Sequence, residues 1–371
     1  MKKNIHIVSF DIPYPPNYGG IIDIFFKIKE LHKLGIGIYL HTYLFNDKTR
    51  QPELEKYCEK IFYYKRKNAF LSLFSKLPFR VQSRSCNKLI ENLKNLQFPI
   101  IFEGLHTAYP LKKYNFKNTY IRTHNIEHIY FLGLSKSEKN IFKKVFFLLE
   151  SIKLKRFENI LEKATGIFSI SPFEQAYFTK KYGAKTFYIP VFHATTNLTQ
   201  TDEKGDFILY HGDLRIADNV RAALFLIDVY KNTPYQFVVA SSCKNKNVLK
   251  QIKKYHNLNF KEIPTQESLK QLLKKAQINT LFTFQKTGIK LKLLNTLHQG
   301  KHIISNTQMT EDTGLESLCE LANTKEEILE ITSKLLKQTF SKAHIIGRKE
   351  KLLEFNTMVN AEKIVAIIFK Q

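Results

Sequence analysis

Apolar and polar positions alternate near the start of the chain in the order of a strand, a loop, a helix and a second strand. An apolar run at residues 5–10 predicts a buried first strand, and residues 11–20 form a loop with three prolines and a Gly-Gly pair. Apolar residues then recur at helical spacing over residues 21–34, and residues 38–44 predict the next strand. This βαβ pattern implies a parallel sheet.

The same alternation continues to the end of the chain. Further strands are predicted at residues 99–102, 119–122, 166–170, 186–190, 207–212, 235–240, 279–284 and 301–305. Helices are predicted at residues 136–163, 172–182, 219–230, 288–298, 325–336 and 361–369. Residues 194–206 are polar and form the best candidate linker. We therefore predict an α/β protein with domains at residues 1–195 and 205–350 and a C-terminal helical segment at residues 351–371.

Size and composition support two domains of ordinary globular character. The chain has 371 residues, more than one hydrophobic core usually serves, with 43% hydrophobic and 25% charged residues. Its 58 Lys and Arg exceed its 33 Asp and Glu, which gives a net charge of +25. This charge favours anionic partners such as nucleotide phosphates, acidic lipid headgroups or nucleic acid. Alternatively, part of the positive charge reflects a general preference for Lys, Asn and Ile in this sequence and not a binding partner.

The cysteines and the N-terminus favour a cytoplasmic location. Four cysteines lie far apart without a CxxC pair, which argues against a structural zinc site and a disulfide framework. The apolar run at residues 5–10 is too short for a signal peptide. No run of about 18 apolar residues occurs, so no membrane-spanning helix is predicted.

Candidate catalytic residues follow the predicted strands, because ligands of open parallel sheets bind at the carboxyl ends of the strands. His106 is the first candidate. A histidine at this place can deprotonate or polarise the hydroxyl of one bound substrate, or hydrogen-bond a second one. The alternative is a surface histidine in a loop. We expect His124 nearby. Gly19 and Gly20, between the first strand and first helix, are expected to shape an acceptor or phosphate site, with an ordinary turn as the alternative.

We predict no metal site. His124 and His128 have the i, i+4 spacing of a helical metal site, but a third ligand is not apparent. The sequence also lacks a compact Asp-x-Asp motif that could hold a metal ion. The two histidines are therefore interpreted without a metal.

A candidate anion site lies at the start of the helix predicted at residues 288–298. Gly288 opens this helix directly after a strand, so free backbone amides with little steric bulk face a ligand. Lys290 and Lys292 add positive charge, and Lys292 lies four residues after Gly288 on the same helix face. Such an arrangement can stabilise a leaving diphosphate without a metal.

Five segments resemble motifs of one enzyme family. They are residues 15–20, 102–106, 188–190, 210–214 and, most specifically, 288–301, which ends in Gly-Lys before a buried strand. Together they resemble the GT-B glycosyltransferases, particularly the family 4-like members (group 1 glycosyl transferases). The resemblance runs along most of the chain.

This resemblance implies two Rossmann-like domains that face each other across a cleft, an N-terminal one for the acceptor and a C-terminal one for the donor. It implies that the last helix packs back on the first domain. The implied activity transfers a sugar from a UDP-, GDP- or ADP-sugar to a glycan or lipid-linked acceptor in polysaccharide or glycoconjugate synthesis, without a further cofactor. The donor residues implied are Gly212, Arg215, Gly288, Lys292, Asn295 and Glu316.

Two departures keep other functions open. Asn295 stands where the family commonly has Glu, and Gly288 stands where a carboxylate is common. A non-catalytic GT-B-like scaffold that binds sugar nucleotides is therefore the alternative. Net charge alone suggests a nucleic-acid-binding protein, but no recognisable module supports it, and we predict no nucleic-acid partner.

A membrane surface is the remaining expected partner. Residues 70–80 are apolar with basic flanks, so they could lie on an anionic membrane, or alternatively pack as a helix on the N-terminal sheet. The first reading places the protein at the inner face of the cell membrane. Residues 143–149 are expected in the core, whereas Lys153, Lys155 and Arg156 are expected on a solvated face.

Overall fold

The computed structural model describes residues 2–45, 49–67, 75–138, 140–194, 198, 203–284 and 291–369. These residues form two compact units. The first contains the described residues up to Ala194 together with those from Phe355 onward, and the second contains the described residues from Leu198 to Glu354. Each unit is described by itself below.

A parallel sheet forms the centre of the first unit. Its described strands are β1 (Asn4–Val8), β2 (Gly37–Leu44), β3 (Lys60–Lys65), β4 (Ile100–Glu103), β5 (Thr119–Thr123), β6 (Gly166–Ser169) and β7 (Thr186–Tyr188). They are arranged in the order β3-β2-β1-β4-β5-β6-β7. Ile7 of β1 pairs with Leu40 on one side and Ile101 on the other. The strand order reverses between β1 and β4, and a parallel sheet binds ligands at such a switch point.

Helices connect these strands. They are α1 (Gly19–Lys33), α2 (Phe79–Gln82), α3 (Asn87–Asn95), α4 (Tyr109–Lys113), α5 (Glu127–Ser137), α6 (Ile141–Phe157) and α7 (Pro172–Tyr182). Ser171 caps α7 by accepting a hydrogen bond from the Glu174 amide, and Pro172 occupies the first helical position. The start predicted for this helix is therefore confirmed.

The single helix predicted at residues 136–163 is wrong. The chain forms α5 and α6 instead, and a 3-10 segment follows at Glu158–Lys163. Asn140 starts the second helix, because its side-chain oxygen accepts hydrogen bonds from the amides of Phe142 (3.0 Å) and Lys143 (3.2 Å).

The core placement of residues 143–149 is also wrong in part. Val145, Leu148 and Leu149 are exposed, whereas Phe146 and Phe147 are half-buried. Residues 145–149 are all apolar, so their periodicity did not indicate which face is buried.

The second unit repeats the same architecture. Its parallel strands are β8 (Ile208–His211), β9 (Phe237–Ser241), β10 (Leu258–Glu262), β11 (Ile278–Leu281), β12 (His302–Ser305) and β13 (Glu320–Leu321), in the order β10-β9-β8-β11-β12-β13. Its helices are α8 (Ala217–Tyr230), α9 (Lys246–Ile252), α10 (Gln266–Lys275), α11 (Leu291–Gln299), α12 (Thr307–Thr310), α13 (Lys325–Lys337) and α14 (Lys342–Leu352). Here the strand order reverses between β8 and β11.

The last helix belongs to the first unit. This helix, α15 (Thr357–Phe369), packs against α1. Ala361, Ile364 and Ile368 are buried in the same hydrophobic cluster as Ile21 and Ile24 of α1. Among the described residues, no helix combines the length and hydropathy that a bilayer crossing requires.

A chain of buried hydrogen bonds crosses β1, β2 and β3. His6 Nε2 lies 2.7 Å from the Leu96 carbonyl, and His6 Nδ1 lies 2.9 Å from His41 Nε2. His41 Nδ1 lies 2.8 Å from the Tyr64 hydroxyl. Burial lowers the pKa of His6 and, more strongly, that of His41, which the neighbouring His6 lowers further. Both imidazoles are therefore neutral in the folded protein at neutral pH.

Acidification should destabilise the protein through this pair. The folded-state pKa values lie below the ordinary 6.5, so the unfolded chain binds protons that the folded protein does not. The stability contributed by the pair is present above about pH 6.5 and is lost as the pH falls toward the folded-state pKa values. A histidine that stays neutral in the folded protein costs about 1.4 kcal/mol at about pH 5.5, and His41, the more strongly shifted of the two, should approach this cost. Urea unfolding at about pH 7.5 and 5.5 measures this cost.

The variant His41→Gln separates this pair from the other histidines. It should be less stable than the wild type at about pH 7.5, but should lose about 1.4 kcal/mol less on acidification, because one titrating group is gone. The same loss in both proteins would contradict the assignment.

Candidate functional site

The carboxyl ends of β1, β4 and β5 bring together the histidines predicted from the sequence. β4 ends at Glu103, and Gly104 follows with φ +71°, a left-handed conformation that disfavours other residues. This turn leads directly to His106, and His124 follows β5. The Phe10 ring, just after β1, lies edge-on to both, with centroids 6.2 Å from His106 and 5.6 Å from His124.

A buried ionic network lies beneath His124. His124 Nε2 is 3.1 Å from Glu103 Oε2. Lys27 of α1 places its ammonium 2.7 Å from the other oxygen of Glu103 and 3.2 Å from Asp23 Oδ2. The side chains of Lys27, Glu103 and Asp23 are inaccessible to solvent. Burial alone would raise the pKa of Glu103, but Lys27 and His124 hold it below its usual range.

Arg122 of β5 completes the network. Its Nε and one terminal nitrogen each donate to an oxygen of Asp23 at 2.7 Å, a bidentate arrangement. It also donates to the carbonyls of Ile189 (2.9 Å) and Pro190 (3.0 Å), while the Phe192 amide donates to Asp23 at 2.8 Å. Burial would raise the pKa of Asp23, but Arg122 and Lys27 lower it well below its usual range.

The network does not fit a metal ion. Asp23, Glu103 and His124 have potential ligand atoms within 4.8 Å of one another. Their oxygens, however, already contact Lys27 and Arg122. Two buried carboxylates and two buried cations balance, and a divalent ion would leave an uncompensated positive charge in a solvent-free site.

His106 lies in a positively charged environment. Its Nε2 is 3.3 Å from an Arg80 guanidinium nitrogen and 3.5 Å from a Glu127 carboxylate oxygen. Burial, followed by Arg80 and Arg84, lowers the pKa of His106 well below 6.5. A guanidinium can only donate, so Nε2 accepts from Arg80 and the neutral ring carries its proton on Nδ1. Nδ1 is buried and has no hydrogen-bond partner among the described residues.

Three arginines supply this positive charge. Arg84 donates to the carbonyls of Phe10 (2.7 Å) and Arg80 (2.9 Å), while Arg66 donates to Ser83 Oγ at 3.4 Å. Burial, with Arg66 and Arg80 nearby, lowers the pKa of Arg84 to about 9. This concentration of guanidinium groups favours a ligand with negative charge.

Gly20, at the start of α1, allows close packing against the Phe10 ring. Gly19 and Gly20 are the first two residues of the helix. A Cβ on Gly20 would approach the Phe10 ring to 2.7 Å, so a larger residue would displace that ring from beside the histidines. The acceptor role of Gly19 and Gly20 stays a prediction.

Gly212 follows β8 in the second unit and allows close packing. A Cβ there would lie 3.1 Å from the Tyr210 hydroxyl and 3.2 Å from Asn219 Cγ. Asn219 donates to the Asp213 carbonyl at 3.0 Å and accepts from Lys292 Nζ at 2.7 Å. Gly212 and Lys292 are thus joined through Asn219, at the point where the strand order reverses.

Arg215 is held by its neighbour. The Asp213 carboxylate accepts from Arg215 Nε at 2.9 Å and from a terminal nitrogen at 2.7 Å, although the Arg215 side chain is 74% exposed. Hydrogen bonds from Arg215 lower the pKa of Asp213 to about 2. Much of the Arg215 charge is therefore balanced locally. Arg221, the other arginine near this turn, lies 3.9 Å over the Phe284 ring.

The remaining predicted donor residues are dispersed. Asn295 is half-buried in α11, one turn after Lys292. Glu316 accepts a hydrogen bond from the Thr313 amide at 3.3 Å, and no hydrogen bond among the described residues links it to Lys292. Gly288 and Lys290, and with them the predicted helix start, lie outside the described residues. These roles stay predictions.

His124 and His128 do not point to a shared metal. His124 contacts Glu103, whereas His128 Nδ1 lies 3.1 Å from Glu158 Oε2. His124 also precedes α5, which begins at Glu127, so the helical i, i+4 geometry does not apply.

Sequence reasoning missed most of the buried charged residues in the network beneath His124. Asp23 and Lys27 lie four residues apart on the buried face of α1, and Arg122 interrupts a buried strand. A charge at an apolar position is the signal that could have identified them, because such a group requires a partner. Asp218 was also missed: it accepts from Thr283 Oγ1 (2.7 Å) and the Phe284 amide (3.1 Å).

Known proteins resemble this chain over its whole length. No family model matches it. An uncharacterized 44.6 kDa protein in the cps region of Klebsiella pneumoniae is 26% identical over 395 aligned positions, which cover 99% of each chain.

Several solved structures share the fold. Sucrose-phosphate synthase from Thermosynechococcus elongatus has a TM-score of 0.69 at 15% identity and covers 99% of this chain and 98% of its own. Anabaena HepE in complex with UDP and glucose has a TM-score of 0.67 at 10% identity, with full coverage of both chains. S. aureus TarM in complex with UDP has a TM-score of 0.67 at 10% identity and covers 99% of this chain and 100% of its own. The predicted α/β class and the GT-B fold, with two parallel sheets, are confirmed.

Proposed function

We propose that the protein is a glycosyltransferase that moves a sugar from a nucleotide-sugar donor to a glycan or lipid-linked acceptor in cell-surface polysaccharide synthesis. The observation that carries this proposal is the whole-length similarity to glycosyltransferases such as HepE, which was solved with UDP and glucose. The relative in the cps region supports a role in capsular polysaccharide synthesis.

The second unit is the proposed donor side. In the reaction an acceptor oxygen bonds to the anomeric carbon as the bond from that carbon to the diphosphate oxygen breaks. The nucleoside diphosphate leaves with growing negative charge, which a cation stabilises. We propose Lys292 as this cation, and its hydrogen bond to Asn219 beside the turn at Gly212 supports the assignment. Asn295, one turn further along α11, can hydrogen-bond a donor hydroxyl without carrying charge.

The first unit is the proposed acceptor side. His106, neutral and protonated on Nδ1, offers a hydrogen-bond donor with no described partner. Arg80 fixes this tautomer, and with Arg66 and Arg84 it favours an acceptor that carries phosphate or carboxylate. His124, oriented by Glu103, lies beside the same Phe10 ring and is the second candidate.

We further propose that transfer needs no metal. The buried carboxylates near His124 are neutralised by Lys27 and Arg122, which supports this. Transfer should therefore persist in an excess of EDTA. Loss of activity with EDTA, restored by Mg²⁺ or Mn²⁺, would contradict metal independence while leaving the sugar-transfer proposal intact.

Donor binding can be tested with a thermal-shift screen of UDP-, GDP- and ADP-sugars. A true donor should raise the unfolding midpoint with concentration, because it binds only the folded state. In Lys292→Gln the affinity for that donor should fall about tenfold to a hundredfold, the value of a lost hydrogen bond to a charged group. Lys250→Gln, at an exposed position of α9, is the matched control and should bind like the wild type.

A turnover assay distinguishes a glycosyltransferase from a scaffold that only binds sugar nucleotides. The donor identified in the screen is incubated with glycan and lipid-linked acceptors, and release of nucleoside diphosphate is followed. Binding without release in every acceptor mixture would favour a sugar-nucleotide-binding scaffold, the alternative that Asn295 keeps open. No shift with any nucleotide sugar would contradict both functions.

The proposed location is the cytoplasm, at the inner face of the cell membrane. Nucleotide sugars are anionic, and the net charge of +25 also favours a surface with acidic lipids. Residues 70–74, the first part of the 70–80 segment considered for membrane contact, lie outside the described residues. That assignment stays a prediction.

A further inference from the structure

The outward face of α6 is apolar and exposed. Phe142 is 83% and Ile141 is 62% exposed, both at the start of the helix. The exposed apolar side chains of α6 are Ile141, Phe142, Val145, Leu148, Leu149 and Ile152. Their spacing of three, four and seven residues places them on one face over three helical turns. A contiguous apolar surface of this kind indicates an interaction site.

The opposite face of α6 already has its partners. Ser151 donates to the His128 carbonyl of α5 at 2.7 Å, and the Phe147 ring lies 6.0 Å from that of Phe131. Leu154 and Phe157 are buried in the core of the first unit. The helix is therefore anchored by its inner face, whereas its outward apolar face is exposed to solvent.

Cations surround this outward face. The helix contains five Lys and Arg and one carboxylate, Glu150. Glu150 is buried, where it accepts a hydrogen bond from the Phe79 amide at 2.7 Å. The exposed cations of α6 are Lys143, Lys144, Lys155 and Arg156, and none of them forms an ion pair within the described part of the chain. The surface that α6 presents to solvent thus combines apolar groups with positive charge only.

We propose that the outward face of α6 docks on an anionic lipid bilayer. Apolar side chains on such a helix enter the boundary between headgroups and acyl chains, while Lys and Arg contact the lipid phosphates. A second copy of this chain is a poorer occupant, because pairing two α6 faces would bring like charges together without a carboxylate between them. If the protein lies at the membrane as proposed above, the outward face of α6 is the surface that contacts it.

Binding to vesicles tests this docking without turnover. The full chain is sedimented with phosphatidylcholine vesicles that contain or lack phosphatidylglycerol. It should bind the anionic vesicles, and weakly or not at all the neutral ones. The double variant Phe142→Ser/Leu149→Ser should partition at least about tenfold more weakly, since two of the exposed apolar groups are lost. The control is Ile346→Ser/Leu353→Ser, which alters residues about 60% exposed in the second unit and should bind like the wild type.

Three outcomes would overturn the proposal. One is equal binding by the α6 variant and the wild type, and another is equal binding to neutral and anionic vesicles. The third is a dimer that becomes a monomer in the α6 variant while vesicle binding is absent, which would assign the face to a second copy. Donor binding by the variant is measured in parallel. If it is retained while vesicle binding is lost, the two proposals are separated.

Discussion

Replacing Asp23 with asparagine is expected to lower the free energy of unfolding by about 3–5 kcal/mol. The substitution keeps the size of the side chain but removes its charge. Arg122 then remains charged in a solvent-free site. The new amide nitrogen is itself a donor, so one of the two Arg122 nitrogens that donated to Asp23 loses its acceptor. The Phe192 amide and Lys27 lose their charged acceptor as well. Urea unfolding of the variant and the wild type at neutral pH measures the loss.

A surface ion pair supplies the matched control. Glu262 lies 3.4 Å from Lys244, and both side chains are more than half exposed. Glu262→Gln is the same type of substitution and should change stability by less than about 1 kcal/mol, because solvent screens the pair. If Asp23→Asn costs as little as Glu262→Gln, the network around Arg122 is hydrated and its described burial does not hold in solution.

Asp23 shows why the fold was easier to predict than the network. Repeated apolar runs separated by glycine-containing loops identified β1, α1 and β2, because their periodicity follows from burial on known faces. In the same periodicity, Asp23 and Lys27 are polar residues among positions of α1 that are mostly apolar and buried, and the pattern does not explain them. Only the fold reveals that Arg122 and Glu103, from two different strands, reach them.

Edge strands and breaks in helices were harder to predict for a local reason. β3 and β10 were not predicted, and both lie at sheet edges where one side chain after another is exposed or half-buried. The break before α6 depends on one side chain, Asn140, within a long run of helix-forming residues. Which face of α6 is buried depends on α5, which sequence periodicity does not include.

The candidate site was predicted in part. The rule that ligands bind at the carboxyl ends of strands indicated His106 and His124, and the structure places both beside Phe10. The contact of Arg80 with His106 was not predicted, because it joins residues 26 positions apart in separate elements. Yet burial and the charge of Arg80 together keep His106 neutral, and the contact with Arg80 selects the ring nitrogen that carries the proton.

Replacing His106 with alanine is expected to lower kcat for sugar transfer by about a hundredfold to a thousandfold, the usual cost of removing one positioned donor from a reacting centre. The KM for the donor should change little, because Lys292 lies in the other unit. The size of the effect follows from the tautomer: Arg80 donates to Nε2, so the Nδ1 proton has no hydrogen-bond partner among the described residues and is the proposed donor to substrate. Steady-state kinetics with the donor and acceptor found above measure both constants.

Two further variants decide what His106 does. His106→Asn places an amide nitrogen close to the position of Nδ1, so it should recover most of the activity lost in His106→Ala if that proton is the functional group. If the asparagine variant is as inactive as the alanine variant, His106 acts as a base and the assigned tautomer is wrong.

The matched control is His41→Gln, which replaces a buried histidine in the same unit. It should lower stability but leave kcat unchanged. A kcat within about threefold of the wild type in His106→Ala would remove His106 from the reacting centre, since a positioned hydrogen bond contributes more than that.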